Sequence, residues 1–279
     1  MSQTAAHPLS LPSIGLGTYR LRGLDGARAV ARAVESGYRL LDSAFNYENE
    51  AAVAEGVRLS GIDRDEIFFT SKLAGRHHAR PLADEAIQES VLRTGLGRID
   101  LMLIHWPNPS QGLYVEAWEA LVDAREAGLV RHIGVSNFLP EHLERIEAAT
   151  GVMPEVNQIE LHPRFPQAEQ LAHHREKGII TQAWSPIGRA GAYGSSVLDE
   201  PVVREVAEAH DITATQAVLA WHAARGVLPL PKSAHPQRQR ENLAALDVAL
   251  GEDETAAITG LGRADGRLKD QDPAVYEEF

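Results

Sequence analysis

Eight short apolar runs alternate with amphipathic stretches along most of the chain, and this alternation constrains the fold more than any other feature. Each apolar run is short enough for one buried strand, and each amphipathic stretch has helical spacing of its apolar residues. Repeated β–α units of this kind predict an α/β fold with a parallel sheet. The predicted strands are 14–18, 39–42, 67–72, 101–105, 132–136, 156–160, 179–184 and 228–231. The predicted helices are 26–35, 50–59, 83–93, 115–126, 140–148, 168–177, 201–208 with 214–224, and 237–246.

Polar side chains stand where the predicted strands end, and they help to separate the two folds that eight such units can adopt. In a closed (β/α)8 TIM barrel these ends meet at one mouth, whereas an open doubly wound sheet spreads them along a line. Polar residues at nearly every strand end favour the barrel, and no linker divides the chain, so we predict a single domain over 1–279. The strand-end residues are Asp42, Ser43, Ser71, Lys72, His105, Ser136, Asn137, Gln158, Glu160, Ser185, Lys232 and Ser233.

Charge and cysteine content limit the classes of function. The chain has 27 Lys and Arg against 39 Asp and Glu, a formal charge of −12, whereas nucleic-acid binding needs clustered cations. The most apolar stretch, 99–106, is too short to cross a bilayer, and the first residues, MSQTAAHPLS, do not resemble a signal peptide. Because there are no cysteines, thiolate chemistry and cysteine-based metal sites are excluded. We therefore expect a cytoplasmic monomer that acts on a small molecule and binds neither nucleic acid nor membrane.

Two familiar motifs begin in this sequence without being completed, and a third is absent. Gly15 and Gly17 start a dinucleotide-binding G-x-G-x-x-G, but Arg20 occupies the third glycine position. The stretch from Gly134 resembles a nucleophile elbow, but Phe138 stands where the closing glycine belongs. The 12 histidines include no H-E-x-x-H spacing, so we predict no metal site.

Four polar residues at or just after three adjacent strand ends form a constellation suited to carbonyl reduction. Asp42 ends the second predicted strand, Tyr47 follows it, Lys72 ends the third strand and His105 ends the fourth. A hydride that reaches a carbonyl carbon leaves negative charge on the oxygen, which needs a proton donor. Tyrosine has an unperturbed pKa of about 10, and a neighbouring ammonium makes its proton easier to release. Asp42 would hold Lys72 charged and in place, and His105 would orient the carbonyl oxygen.

The ordered motifs of the chain resemble those of the aldo-keto reductase family, in particular its bacterial diketogluconate and methylglyoxal reductases. The similarity extends over 15–246, although Ser43 replaces the threonine that is usual after the first tetrad residue. The resemblance implies a barrel, NADPH bound without a Rossmann domain, and the four residues above as a catalytic tetrad with Tyr47 as the acid. The motifs are GYRLLDSAFNYENE at 37–50, LVRHIGVSNF at 129–138, VNQIELHP at 156–163, AWSP at 183–186 and PLPKS at 229–233.

The resemblance also implies which residues surround the nicotinamide of NADPH or NADP+. Ser136, Asn137 and Gln158 would hydrogen-bond the carboxamide, and Trp184 would stack on the ring, because a flat ring needs an aromatic platform. Thr18, Tyr19 and Asp42 complete this group of implied cofactor residues.

A second implied group serves the phosphates and the adenosine. Lys232 and Arg238 would meet the 2′-phosphate together with Ser233, which predicts NADPH over NADH in this acidic protein. The glycine-rich segment 188–194 is expected to cover the pyrophosphate as a flexible loop. The other residues are Ser185, Ile187, Gly188 and Leu198 along the pyrophosphate, and Glu241 and Asn242 near the adenine.

The substrate pocket is expected to be open and shallow. The stretch 262–279 is brief and polar and lacks a long specificity loop, which favours aldehydes and small ketones over bulky substrates such as steroids. The residues expected to line the pocket are Tyr19, Phe45, His105, Trp106, Asn108 and Phe138.

Two other functions are compatible with parts of this pattern. One is a non-catalytic NADPH-binding subunit that senses redox state, which would have no need for all four tetrad residues. The other is a barrel isomerase or hydrolase that uses Asp42 and His105, which the predicted phosphate-binding Lys232 and the missing metal ligands disfavour.

Overall fold

The computed structural model of the chain describes residues 9–189 and 194–279. Its eight parallel strands lie side by side in the order of the sequence, in one sheet. Hydrogen bonds of 3.1 Å from Gly15 N to Pro229 O and from Gly17 N to Pro231 O join the first strand to the last and close the sheet. The prediction of a single-domain (β/α)8 barrel is confirmed, and the open doubly wound alternative is wrong because the strand order nowhere reverses. The strands are β1 (Leu16–Gly17), β2 (Leu40–Asp42), β3 (Phe68–Leu73), β4 (Ile99–Ile104), β5 (Val130–Ser136), β6 (Val156–Glu160), β7 (Ile180–Trp184) and β8 (Leu228–Pro229).

Helices connect the strands and cover the outside of the barrel. Nine of the helices in the described residues match predicted ones to within a few residues, and glycines such as Gly178, at φ +70°, follow several of them in the left-handed conformation. The helix α10 was not predicted, because among its residues only Ile258 is fully buried and its apolar spacing is weak. The helices are α1 (Gly23–Glu35), α2 (Glu50–Ser60), α3 (Leu82–Thr94), α4 (Tyr114–Glu126), α5 (Pro140–Thr150), α6 (Ala168–Lys177), α7 (Pro201–Ala209), α8 (Ala214–Ala224), α9 (Pro236–Ala244) and α10 (Glu252–Thr259).

The barrel interior changes from apolar to polar along the strands. Side chains alternate across a strand, so residues two apart share a face. Leu40 lies two residues before Asp42, and Val156 lies two residues before Gln158, and all four side chains are buried. Leu11 packs beneath both apolar residues. The lower half of the barrel is therefore filled mainly with apolar side chains, with His132 stacked on Phe68 among them, and most of the polar side chains gather toward the carboxyl ends of the strands.

Gly134 in β5 shows how completely this lower half is filled. A Cβ at this position would lie 2.6 Å from the carbonyl oxygen of Val156 and 2.8 Å from Cδ2 of Leu103. The glycine that resembled part of a nucleophile elbow is therefore explained by packing inside the barrel.

Two apolar clusters pack outside the strands, one under α1 to α5 and a second under α6 to α8 and α10. Across residues 9–189 and 194–279, no helix combines the length and apolar character that a membrane span requires. The same residues contain no group of three potential ligands arranged to hold a metal ion.

Candidate active site

A cavity of about 770 Å³ opens at the carboxyl ends of the strands, which is where barrel enzymes build their active sites. Residues from most strand ends reach it, so the structure brings together side chains that are far apart in the sequence. Twelve of its lining residues were predicted for the site: Thr18, Tyr19, Asp42, Tyr47, His105, Trp106, Ser136, Asn137, Gln158, Trp184, Ser185 and Lys232. The lining residues that were not predicted are Gly17, Arg20, Asn46, Arg189, Lys269, Gln271, Tyr276 and Glu278.

A buried ion pair lies at the floor of the cavity. Lys72 Nζ donates to both carboxylate oxygens of Asp42 and to the carbonyl oxygen of Ser43, each at 2.8 Å. Gln158 Nε2 donates to the same carboxylate at 2.8 Å. Burial lowers the pKa of Lys72, while the Asp42 carboxylate opposes that shift. The ammonium is 1% exposed and has three acceptors, which fixes its position below the cavity.

Tyr47 stands over this pair. It lies in the short 3-10 turn Phe45–Tyr47 after β2, and Lys72 Nζ is 5.0 Å from the centre of its ring. Its ring packs edge-on against Tyr19 and His105, with centroid distances of 5.1 and 5.8 Å. Burial, followed by the carboxylates of Asp42 and Glu278, raises the pKa of Tyr47 well above its ordinary value. The phenol is therefore protonated across the ordinary pH range and can act as a donor, not as a base.

His105 follows β4 and is held on both sides by backbone bonds. Its N–H donates to Leu73 O at 3.0 Å, and its carbonyl accepts from Asn137 Nδ2 at 3.0 Å. The imidazole Nδ1 lies 2.7 Å from Oε1 of Glu278, and both side chains are nearly buried. No described residue bonds to Nε2, which leaves that nitrogen for a ligand in the cavity.

The opposite wall of the cavity is flat and held by hydrogen bonds. Trp184 Nε1 donates to Asn137 Oδ1 at 2.8 Å, and Asn137 Nδ2 donates to Ser136 Oγ at 3.0 Å. Ser136 Oγ in turn donates to the carbonyl oxygen of Gln158 at 2.7 Å. Asn137 Oδ1 keeps a second lone pair, and no described residue donates to Gln158 Oε1. An aromatic face beside two free acceptor oxygens fits a planar ring that carries a carboxamide.

The implied phosphate and adenosine residues occupy different environments. Lys232 lines the cavity, whereas Arg238 does not; both are exposed, and no described carboxylate pairs with either. Gly188 has φ +65°, and its N–H donates to the Ser185 carbonyl at 2.8 Å. Residues 190–193 of the expected covering segment lie outside the described residues. Among the other implied residues, Ile187 and Leu198 pack on an apolar cluster, and Asn242 is buried. The Ser233 hydroxyl accepts a hydrogen bond from the His235 N–H, and the Glu241 carboxylate accepts one from the Gln237 side chain.

Three residues expected to line the substrate pocket are not among those that line the cavity. Phe45 lies under the Arg93 guanidinium, 4.0 Å from its ring centre. Phe138 is fully buried in the core, with its ring edge-on to Tyr114 at 5.6 Å. Asn108 is buried and bonded to the backbone of residue 278. Tyr19 and Trp106 do line the cavity, as does His105.

The segment from Leu268 to Phe279 is the main feature of the site that the sequence did not reveal. We expected this stretch to leave the pocket open, but it lies along one side of the cavity. The Leu268 N–H donates to buried Glu160 at 2.6 Å, and the Tyr276 ring packs on Trp106 at 4.5 Å. Each of these contacts joins residues about 100 positions or more apart, so no local pattern in the sequence could have indicated them.

Comparison with known families agrees with this geometry. A family model described as "Aldo/keto reductase family" matches residues 13–263. The chain belongs to the aldo/keto reductase family. The sequence-based recognition of this family is thereby confirmed.

Among curated relatives, 2,5-diketo-D-gluconic acid reductase B of Corynebacterium sp. (strain SHS752001) is 52% identical over 265 residues, covering 95% of this chain and 94% of its own. Methylglyoxal reductase DkgA of Yersinia pestis is 39% identical, and the alignment covers 95% of this chain and 94% of that protein. Morphine 6-dehydrogenase of Pseudomonas putida is 40% identical and covers 97% and 95%.

Solved structures extend the comparison to the cofactor. A Gox0644 mutant in complex with NADPH aligns with a TM-score of 0.88 at 41% identity, covering 96% of this chain and 95% of its own. The Bombyx mori aldo-keto reductase in complex with NADP aligns with a TM-score of 0.87 at 33% identity, covering 96% and 94%. Family membership together with these neighbours confirms the predictions of an NADP-dependent oxidoreductase and of NADPH as its cofactor.

Proposed function

We propose that this aldo/keto reductase reduces aldehydes and small ketones, with Tyr47 as the general acid. The observation that supports it best is the buried Asp42–Lys72 pair directly beneath a protonated phenol at the floor of the cavity. A proton donor, a fixed cation and an imidazole at one point are what a developing alkoxide requires.

The flat wall is proposed to hold the nicotinamide. Trp184 would stack on the ring, and Asn137 Oδ1 and Gln158 Oε1 would accept hydrogen bonds from the carboxamide NH2. Bound NADPH supplies a hydride. Because the indole and the amides are bonded to one another, they would present one face of the ring toward Tyr47 without first having to become ordered.

Tyr47, His105 and Lys72 are proposed to supply the proton and to stabilise the charge that develops during the reaction. The carbonyl oxygen would sit between Tyr47 Oη and His105 Nε2, and the phenol would deliver its proton to that oxygen as the carbon gains the hydride. The raised pKa of Tyr47 keeps the proton in place until negative charge develops on the substrate. Lys72 would then stabilise the Tyr47 phenolate until it takes up a new proton from solvent.

We propose small activated carbonyl compounds, such as glyoxals, as the preferred substrates. The names of two relatives, a diketogluconic acid reductase and a methylglyoxal reductase, support this class, and segment 268–279 restricts the cavity on one side. Loss of NADPH absorbance should give a higher kcat/KM for methylglyoxal and similar dicarbonyls than for steroid ketones. A steroid preference would contradict the substrate class, and cofactor binding without turnover of any carbonyl compound would favour the redox-sensing alternative.

The cofactor preference gives a separate prediction. A Lys232→Ala, Arg238→Ala double variant should lose most of the preference for NADPH over NADH, by about 100-fold or more, because each charged contact to a 2′-phosphate contributes roughly 1.5–3 kcal/mol. Dissociation constants from fluorescence titration measure the effect, and the wild-type preference should shrink as salt rises. Arg240→Ala is the matched control, since this exposed residue of α9 has no role in the proposed site. Equal wild-type affinities for the two cofactors would refute the assignment.

We also propose, from the sequence, that the protein acts as a monomer. Light scattering tests this. A cytoplasmic location stays a prediction from the sequence.

A further inference from the structure

Glu278 is anchored in the cavity wall by four hydrogen bonds. Its N–H donates to Asn108 Oδ1 at 3.0 Å, and its carbonyl accepts from Asn108 Nδ2 at 2.6 Å. Its carboxylate accepts from Asn46 Nδ2 at 2.8 Å and from the Gly75 N–H at 3.1 Å. A side chain that is fixed by partners from two other loops holds a defined position, and that position is beside His105.

The contact between Glu278 and His105 determines where the imidazole carries a proton. Oε1 lies 2.7 Å from Nδ1, although the ring is turned so that the N–H is not aimed straight at the oxygen. An unprotonated Nδ1 at this distance would set its lone pair against those of a carboxylate. Burial alone would raise the pKa of Glu278, but His105, Asn46 and the Gly75 N–H together lower it to about 2. The donors Asn46 Nδ2 and the Gly75 N–H stabilise an ionised carboxylate, and an ionised carboxylate 2.7 Å from Nδ1 favours a proton on that nitrogen.

Among the described side chains, no other titratable group near His105 can take over this role. Asp42 is occupied by Lys72 and Gln158. Tyr47 keeps its proton, and burial lowers the pKa of His78 to about 4, so that this neighbour is uncharged at neutral pH. Glu278 is therefore the anion that faces the His105 ring.

We infer that Glu278 is a positioning residue for His105, whose carboxylate keeps a proton on Nδ1 and so makes the charged imidazolium the form that donates from Nε2. A neutral imidazole ring with its proton on Nδ1 has only a lone pair at Nε2. To donate to a carbonyl oxygen, Nε2 needs a second proton, and the adjacent carboxylate stabilises the resulting positive charge. The part of this inference that concerns the carbonyl oxygen rests on the proposed function, whereas the part that concerns the proton on Nδ1 does not.

The protonation state can be observed directly in the free enzyme. Two-bond 1H–15N correlation NMR separates the possible forms of each histidine ring, and a His105→Asn variant identifies the His105 signals by their disappearance. We expect a protonated Nδ1 in the wild type at neutral pH, and in Glu278→Gln a shift toward the neutral ring with its proton on Nε2. A wild-type spectrum with a bare Nδ1 overturns the inference whether or not the variant folds. An unchanged spectrum in Glu278→Gln overturns it as well.

Turnover gives the second readout. Glu278→Gln keeps the shape of the side chain and removes its charge, so kcat for carbonyl reduction should fall about 10- to 100-fold, as expected for one charge-assisted hydrogen bond. KM and the NADPH dissociation constant should change less than about threefold, since a structural defect would alter all three. Glu277→Gln is the matched control, because that carboxylate accepts from the Ser110 N–H at 2.7 Å and does not line the cavity.

The two variants separate the possible outcomes. A kcat in Glu278→Gln equal to that of Glu277→Gln contradicts the positioning role. If the wild type reduces no carbonyl compound, the proposed function fails, while the NMR measurement still decides where the proton lies.

Discussion

Replacing Tyr47 by Phe is expected to lower kcat by at least 10²- to 10⁴-fold, the usual contribution of a general acid. The substitution keeps the ring, and with it the packing against Tyr19 and His105, but removes the only proposed proton donor. The NADPH dissociation constant should barely change, because in the proposed mechanism the hydroxyl faces the substrate oxygen. Single-turnover kinetics with methylglyoxal, together with fluorescence titration of NADPH, measure both quantities.

The control for this variant is Tyr114→Phe. Tyr114 is buried in the core against Phe138 and does not line the cavity, so its loss of a hydroxyl tests the general effect of a Tyr→Phe change. If Tyr47→Phe retained near wild-type turnover, Tyr47 would not be the acid, and the non-catalytic alternative would gain support.

Replacing Lys72 by Met is expected to impair both turnover and folding. Asp42 would be left as a buried charge without its cation, which costs about 3–5 kcal/mol of unfolding free energy. The kcat should also fall by about 10²-fold, because the phenolate formed at Tyr47 would lose its nearest positive charge. Urea unfolding and steady-state kinetics on the same preparation separate the two losses.

The double variant Asp42→Asn, Lys72→Met distinguishes stability from chemistry. Removing the orphaned charge should restore most of the stability and none of the activity. Combining Lys72→Met with Tyr47→Phe should cost little more than Tyr47→Phe alone, since both act on one proton transfer. Lys177→Met is the surface control: its ion pair with Glu147, at 3.3 Å, is partly exposed and contributes less than about 1 kcal/mol. If the activity losses of Lys72→Met and Tyr47→Phe were additive in the combined variant, Lys72 would act in a step other than the proton transfer from Tyr47.

The barrel was predictable because its signal is local and repeated. Each strand is a short apolar run, and residues two apart on it, such as Leu40 and Asp42, reach the same interior. The ends were less predictable: β1 and β8 are only two residues long, although hydrogen bonds from Gly15 to Pro229 and from Gly17 to Pro231 continue the pairing between them. The helix α10 escaped prediction because one buried residue makes no periodic pattern.

The site residues likewise include some that the sequence predicts and some that it does not. Asp42, Lys72, Ser136 and Gln158 lie in predicted strands, so the strand pattern places them in the barrel, whereas the cofactor roles of Ser136 and Gln158 were implied by the family resemblance. Phe138 does not, because Asn137 at φ +63° turns the chain and sends the following ring into the core. The contact between His105 and Glu278 spans more of the chain than any local rule covers, and only the folded structure reveals it.

Segment 268–279 is tied to the barrel at its two ends, by the Glu160–Leu268 bond and by the contacts of Glu278. Between these anchors, the chain can vary in length at small entropic cost, since loop closure depends only weakly on the number of residues. Sequence changes confined to 271–275 should therefore alter the size and polarity of the cavity mouth while the proposed tetrad below keeps its geometry. This segment could therefore be exchanged in protein engineering. Grafted loops of different length would change the range of accepted carbonyl compounds without altering the residues of the proposed tetrad.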